Sequence, residues 1–181
     1  KKKHYKVAII GLGYVGLPLY LLCEKKKIDI KGFDIDKKKI RDLRNNISGI
    51  SDIKSSDLKK IKKNFFTLSQ KNFIKDRNFI IFCLPTPLTK SNSPNISYIL
   101  NAVNEIKNLC SDKCIFVIES TVYPGATEEI FSKSFNKKKK EDFHLNFGFS
   151  SERINPGERG NKQIKIKYED ITKVVSGNNS I

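Results

Sequence analysis

One stretch limits the fold more than any other: KVAIIGLGYVGLP, residues 6–18, where an apolar run breaks into glycines at GxGxxG spacing. Lys6 to Ile10 has the near-continuous apolar character of a strand buried on both faces, and Gly11, Gly13 and Gly16 follow at once. Each glycine then has a task. Gly11 permits a tight turn, Gly13 lets backbone approach a pyrophosphate, and Gly16 lets the following helix pack closely on its strand. The first amides of that helix and the positive end of its dipole favour an anion, while Lys25 to Lys27 suit the negative end. Two other readings of the stretch fall away. Lys1 to Lys3 and Lys6 before 17 uncharged residues outline a secretion signal, but a signal needs no glycine spacing, and CEKKK closes this run. A membrane helix needs about 20 mostly apolar residues without such Gly/Pro interruption.

GxGxxG alone is weak; a dinucleotide site also needs an acidic residue about 20 positions on, at the end of a second strand. IDIKGFDID supplies Asp34, 18 residues after Gly16, at the end of a strand predicted over Ile30 to Phe33. Its carboxylate suits both hydroxyls of an adenosine ribose and would crowd a 2′-phosphate, so the pattern favours NAD over NADP, with Lys37 to Lys39 softening that preference. Asp36 is read as solvated or capping a helix that starts at Lys37.

The rest of the chain alternates. Helices are predicted over Lys37 to Asn45, over SSDLKKIKK with Ser55 or Ser56 as cap, over Ser97 to Cys110 and from GATEEIFSKSF. Strands are predicted at FFTLS, Asn78 to Leu84, Cys114 to Ser120, from Phe143, and from Ile171. Strand and helix in turn, with nearly continuous apolar strands, give an α/β fold: a doubly wound, mostly parallel Rossmann-type sheet with helices on both faces, as one domain over residues 1–181. Ligands of such sheets collect at the carboxyl ends of the strands.

Charge needs separate treatment. The net charge of +16 invites a nucleic-acid reading, yet all but five of the 35 basic residues are lysine, in scattered clusters without interleaved aromatics. Solvated faces and helix ends explain most of them, and no nucleic-acid partner or membrane insertion is expected. Cys23, Cys83, Cys110 and Cys114 form no CxxC pair and sit in apolar patterns, which argues against a zinc site or disulfide framework and suits the cytoplasm. Cys83 reads as a buried structural thiol, and His4 and His144 are too isolated to assign. The chain contains no methionine, which suggests a trimmed piece of something longer.

The strand ends carry unusual sequence: PTPL after Cys83, STVYPG after Glu119, SSERINPG after Phe149. GLGYVGLP, FDID, CLPTPL, ESTVYPGATEE and SSERINPG, in this order and over residues 6 to about 177, resemble the cofactor-binding domain of the UDP-glucose/GDP-mannose dehydrogenase family. The wording YPG and SERINPG is most similar to its UDP-N-acetylhexosamine 6-dehydrogenases of surface polysaccharide synthesis. The resemblance implies oxidation of a sugar C6 hydroxymethyl group, UDP-GlcNAc favoured, to a carboxylate by two hydride transfers to NAD through a cysteine-bound thioester. It places Gly11, Gly13, Tyr14 and Val15 along the pyrophosphate, Asp34 at the ribose with Lys39 beside it, and Thr86 and Thr121 further along the cofactor, Thr121 close to the chemistry. Glu152 matches the glutamate that assists the second half-reaction, and Arg153 and Ile154 match positions that touch the nucleotide sugar. Ser151 departs from the usual proline of SPER. The family's nucleophilic cysteine, its lysine, the central helix and the UDP-binding domain fall beyond Ile181, so the resemblance implies a piece that binds cofactor without turnover, and a complete enzyme that is a homo-oligomer.

Plainer readings stand beside these. Thr86 between two prolines fits a rigid loop, Thr121 fits a helix cap near Gly125, and Glu152 with Arg153 fits a surface ion pair worth roughly 0 to 1 kcal/mol. Two other classes share parts of the pattern. A nucleotide-sensing domain would carry GLGYVG and FDID without the later motifs, and a basic nucleic-acid binder would lose affinity steeply with salt.

Overall fold

In a computed structural model, residues 4–135, 145–151 and 172–178 are described. The glycine stretch folds as its spacing requires. Strand β1 (Lys6–Ile10) runs into the turn and helix α1 (Gly16–Lys25) leaves it, followed by β2 (Asp29–Asp34) and α2 (Lys37–Arg44). Then come α3 (Ser55–Lys59), β3 (Phe65–Thr67), a 3₁₀ segment over Leu68–Ile74, and β4 (Phe79–Phe82). The second half holds α4 (Ser97–Ile106), a 3₁₀ turn over Lys107–Leu109, β5 (Ile115–Ile118), α5 (Ala126–Ser134), β6 (Asn146–Ser150) and β7 (Val175–Gly177).

Seven strands make one sheet in the order β3-β2-β1-β4-β5-β6-β7. All pairs are parallel except β6 with β7, which is antiparallel. Side chains that alternate along each strand build two cores. Val7, Ile9, Ile30 and Phe65 pack with Leu17 and Tyr20 of α1, Ile40 and Leu43 of α2 and Leu58 of α3. Ala8, Ile10, Ile80, Phe82, Phe116 and Ile118 pack with Ile99, Val103 and Ile106 of α4 and Ile130 and Phe131 of α5. This is the doubly wound arrangement, and the winding reverses between β1 and β4, the switch point at whose carboxyl ends such folds bind their ligands.

Local chemistry shifts some boundaries from those expected. Asp36 caps α2, its carboxylate accepting from the amides of Lys38 at 2.8 Å and Lys39 at 3.1 Å. Ser55 and Ser56 do not cap α3: they lie inside it, Lys54 holds the cap position, and Asp57 Oδ2 accepts from the Lys54 amide at 3.0 Å. FFTLS is a strand only to Thr67, because Gln70 Oε1 takes the Thr67 amide at 3.2 Å and turns the chain into the 3₁₀ segment. Of the strand expected from Phe143, residues 143 and 144 lie outside the described residues. Among the described residues no helix is long and apolar enough to cross a membrane.

Candidate functional site

The carboxyl ends of β1, β2, β4 and β5 bring together most of the motif residues. Gly11 has φ +96°, and a Cβ there would stand 2.4 Å from the Cys83 carbonyl oxygen, so the turn after β1 and the end of β4 touch through bare backbone. The Gly11 amide also donates to the Phe33 carbonyl at 2.8 Å. At Gly16 a Cβ would meet the Gly11 carbonyl oxygen at 1.9 Å, which seats α1 directly on the turn. Gly13 is the opposite case. Nothing lies within 4 Å of where its Cβ would be, so this face of the loop opens outward.

Tyr14 is half exposed, and Val15, partly buried, occupies the cap position of α1 with no side-chain hydrogen bond to that end and no acidic residue in the first turn. In its first turn the Leu17 amide donates to the Gly13 carbonyl at 3.1 Å and Pro18 has no N–H, so this end offers a phosphate the positive end of the helix dipole beside an open glycine face.

Asp34 is buried at the end of β2 and ties the turn to it. Its Oδ2 accepts from the Leu12 amide at 2.9 Å and from Lys39 Nζ at 2.7 Å, and its Oδ1 accepts from the Asp36 amide at 3.0 Å. Two carboxylate oxygens offer about four lone-pair directions, so one on Oδ1 is left, and Lys39 is the partner on a flexible, part-exposed side chain. Lys38, by contrast, faces Asp42 at 3.5 Å.

Beyond the ends of β4 and β5, Thr86 Oγ1 donates to the Thr121 carbonyl at 2.6 Å, so the loops after the two strands are joined by the two threonines that the motifs single out. Thr121 does not cap α5. That position is Gly125, with φ +85° and no side-chain hydrogen bond, and the Thr121 side chain lies on an exposed residue. Tyr123 of the same loop donates its hydroxyl to Glu129 Oε2, and Lys133 Nζ donates to Glu129 Oε1 at 2.5 Å. The carboxylate beside it pushes the Tyr123 phenol up, while Lys133 foremost, then Tyr123, draws Glu129 down.

Two residues of the ESTVYPG motif have structural partners that the motif does not announce. Ser120, buried, accepts from the Leu84 amide at 3.0 Å and donates to the Leu84 carbonyl at 2.7 Å, clasping the ends of β4 and β5. Glu119, also buried, binds Lys173, and burial draws that lysine's pKa down. A serine at a strand end hints at such a clasp; nothing local foretells a partner 54 residues away. Cys83 is buried, and the four cysteines form no disulfide. Among the described residues no three His, Cys, Asp or Glu side chains could hold a metal. Glu152, Arg153 and Ile154 lie outside the described residues; Ser151 is described, and its amide donates to the Val174 carbonyl at 3.3 Å.

Comparison with known proteins agrees with this geometry. The family model described as "UDP-glucose/GDP-mannose dehydrogenase family, NAD binding domain" matches residues 5–175. Protein CapL of Staphylococcus aureus is 38% identical over 175 residues, covering 94% of this chain and 39% of its own length. A UDP-N-acetyl-D-glucosamine 6-dehydrogenase of Pseudomonas aeruginosa is 37% identical over 179 residues, covering 97% of this chain and 40% of its own. Among solved structures, a UDP-D-ManNAc dehydrogenase of Pyrococcus horikoshii superposes with a TM-score of 0.78 at 24% identity, over 95% of this chain and 41% of that one, a likeness of fold.

Proposed function

The chain belongs to the UDP-glucose/GDP-mannose dehydrogenase family, as its NAD-binding domain, and from that premise we propose that it serves a UDP-N-acetylhexosamine 6-dehydrogenase, with UDP-GlcNAc as the favoured substrate. The observation that carries the reading is the cluster at the carboxyl ends of β1 and β2: an open Gly13, an α1 without a side-chain cap and a buried Asp34. The residues fit NAD. Gly11, Gly13, Tyr14, Val15 and Gly16 would border its pyrophosphate, Asp34 would accept from the ribose hydroxyls once Lys39 swings aside, and Thr86 and Thr121 would border the portion nearer the reaction. NAD, when bound, accepts hydride from the sugar C6.

The chain's own residues supply placement. Ser120 and the contact between Thr86 and Thr121 fix the two loops relative to each other, and preset geometry of this kind lowers the entropic part of a barrier. Glu152 would hold or accept the proton of the water that completes the second oxidation, with Arg153 and Ile154 against the nucleotide sugar. Reduced, mostly buried thiols suit a cytoplasmic setting. The chain spans about two fifths of the relatives' lengths, so the nucleophile and the remainder of the sugar site are expected from residues outside these 181, in an enzyme expected to be a homo-oligomer. A sensing domain without chemistry is disfavoured by the threonine contact, which such a domain does not need.

The test is an assay of the complete gene product with NAD and UDP-GlcNAc, UDP-GalNAc, UDP-ManNAc and UDP-glucose. NADH formation with an N-acetylhexosamine, and none from the 181 residues alone, is expected. Silence of the complete product toward every UDP-sugar would contradict the proposal.

A further inference from the structure

The fold joins two lysine clusters that are far apart in sequence. Lys26 and Lys27 follow α1, Lys59 ends α3, and Lys60, Lys62 and Lys63 lie between α3 and β3; all six are exposed. The Tyr20 hydroxyl donates to the Lys62 carbonyl at 2.7 Å, and the Lys62 amide donates to Glu24 Oε2 at 3.4 Å, so the second segment lies along the last turn of α1. The parallel register of Gly32 with Phe65 carries the alignment back toward the starts of β2 and β3. The combined face therefore sits at the amino-terminal edge of the sheet, opposite the glycine turn.

Of the acidic side chains nearby, two are paired with a cation, while Glu24 and Asp57 accept backbone amides, of Lys62 and Lys54, and keep their charge, so the lysines outnumber them six to two. Asp29 and Asp76 are bound by buried Arg77, at 2.7 Å and 2.5 Å, and Glu24 faces the Lys62 amide and the Tyr20 hydroxyl. Among the described residues none of the six lysines has an ion-pair partner. One or two cations would satisfy the negative end of α1; six on two segments exceed that need.

We propose that this face docks the protein on an anionic phospholipid surface. Two copies of the face repel each other, so its partner is negative. Neither segment carries an arginine, whose fork suits phosphate and base recognition, or an aromatic ring on which a base would stack. Lysines are point charges on flexible stems, and clusters of 4 to 8 of them match the diffuse potential of anionic headgroups, at about 1 kcal/mol per residue. Docking by this edge leaves the glycine turn, at the opposite edge, facing water. Binding is peripheral and electrostatic.

The test is co-sedimentation of the 181-residue protein with phosphatidylcholine vesicles with and without phosphatidylglycerol. Binding should require the anionic lipid and fade as salt rises from about 0.1 M to about 1 M, where the Debye length falls from about 10 Å to about 3 Å. The variant Lys27→Glu, Lys60→Glu, Lys63→Glu should bind at least about 10²-fold more weakly, the loss of three lysines alone accounting for that factor. A variant of equal charge change at the other edge, Lys37→Glu, Lys38→Glu, Lys90→Glu, should lose much less, with circular dichroism confirming that both are folded. No binding to anionic vesicles, equal loss in both variants, or displacement from vesicles by RNA at lower phosphate concentration would each overturn the proposal.

Discussion

Asp34 works twice. Its carboxylate holds the Leu12 amide, and so the shape of the glycine turn, while one lone-pair direction on Oδ1 is left for a further donor. Asp34→Ala should weaken NAD binding by about 1 to 3 kcal/mol, the range for hydrogen bonds to a charged group, measured by calorimetry. Asp34→Asn keeps an acceptor for Leu12, so it should preserve the melting temperature better than Ala while still losing NAD affinity; unchanged affinity in both would remove Asp34 from the site. Glu152 is argued from its match to the SPER motif. In the complete gene product Glu152→Gln should slow turnover by roughly 10² to 10⁴-fold, as for loss of a general base, and let a covalent sugar adduct accumulate that mass spectrometry detects. Normal turnover without an adduct would assign Glu152 to structure. At this scale the glycines and Asp34 were readable because each backbone demand admits few residues. Ser120 and the Glu119 pair with Lys173 were not, because their partners are chosen by the packed sheet and lie 36 and 54 residues away.

Elements were readable where an apolar run met a stop signal, and β1 begins and ends where KVAII does. They were misplaced where a side chain competed for the backbone, as Gln70 does at Thr67 and Asp57 does at Lys54. The start of β2 shows what periodicity cannot disclose. Arg77, buried just before β4, bonds Asp29 of β2 and Asp76, and these bonds hold both carboxyls below the usual carboxylate range. A folded-state pKa below the unfolded value, about 4, means stability that is complete above that pH and is lost as pH falls toward the folded value. Both aspartates are near half exposed, so solvent reduces the effect. Urea midpoints measured from about pH 5 to about pH 2 should fall more steeply for the native sequence than for Asp29→Asn, Asp76→Asn. Parallel curves would mean that the cluster contributes nothing to acid stability.

For the whole molecule, the decisive feature is that one edge of one sheet collects residues from sequence positions 11 to 121. Strand-helix alternation made that edge foreseeable, since parallel strands turn all their carboxyl ends the same way. Surface charge was less legible. The lysine clusters looked like scattered solvated faces, and only the packing of the Lys62 segment on α1 joins two of them. The same surplus of charge sharpens the question of cofactor choice, because Lys37 and Lys38 stand exposed next to a Lys39 that Asp34 already holds. Calorimetric titration of the 181-residue protein with NAD and with NADP tests the central claim most directly. Tighter binding of NAD is the result predicted by an Asp34 carboxylate at the ribose; equal affinity, or preference for NADP, would contradict it.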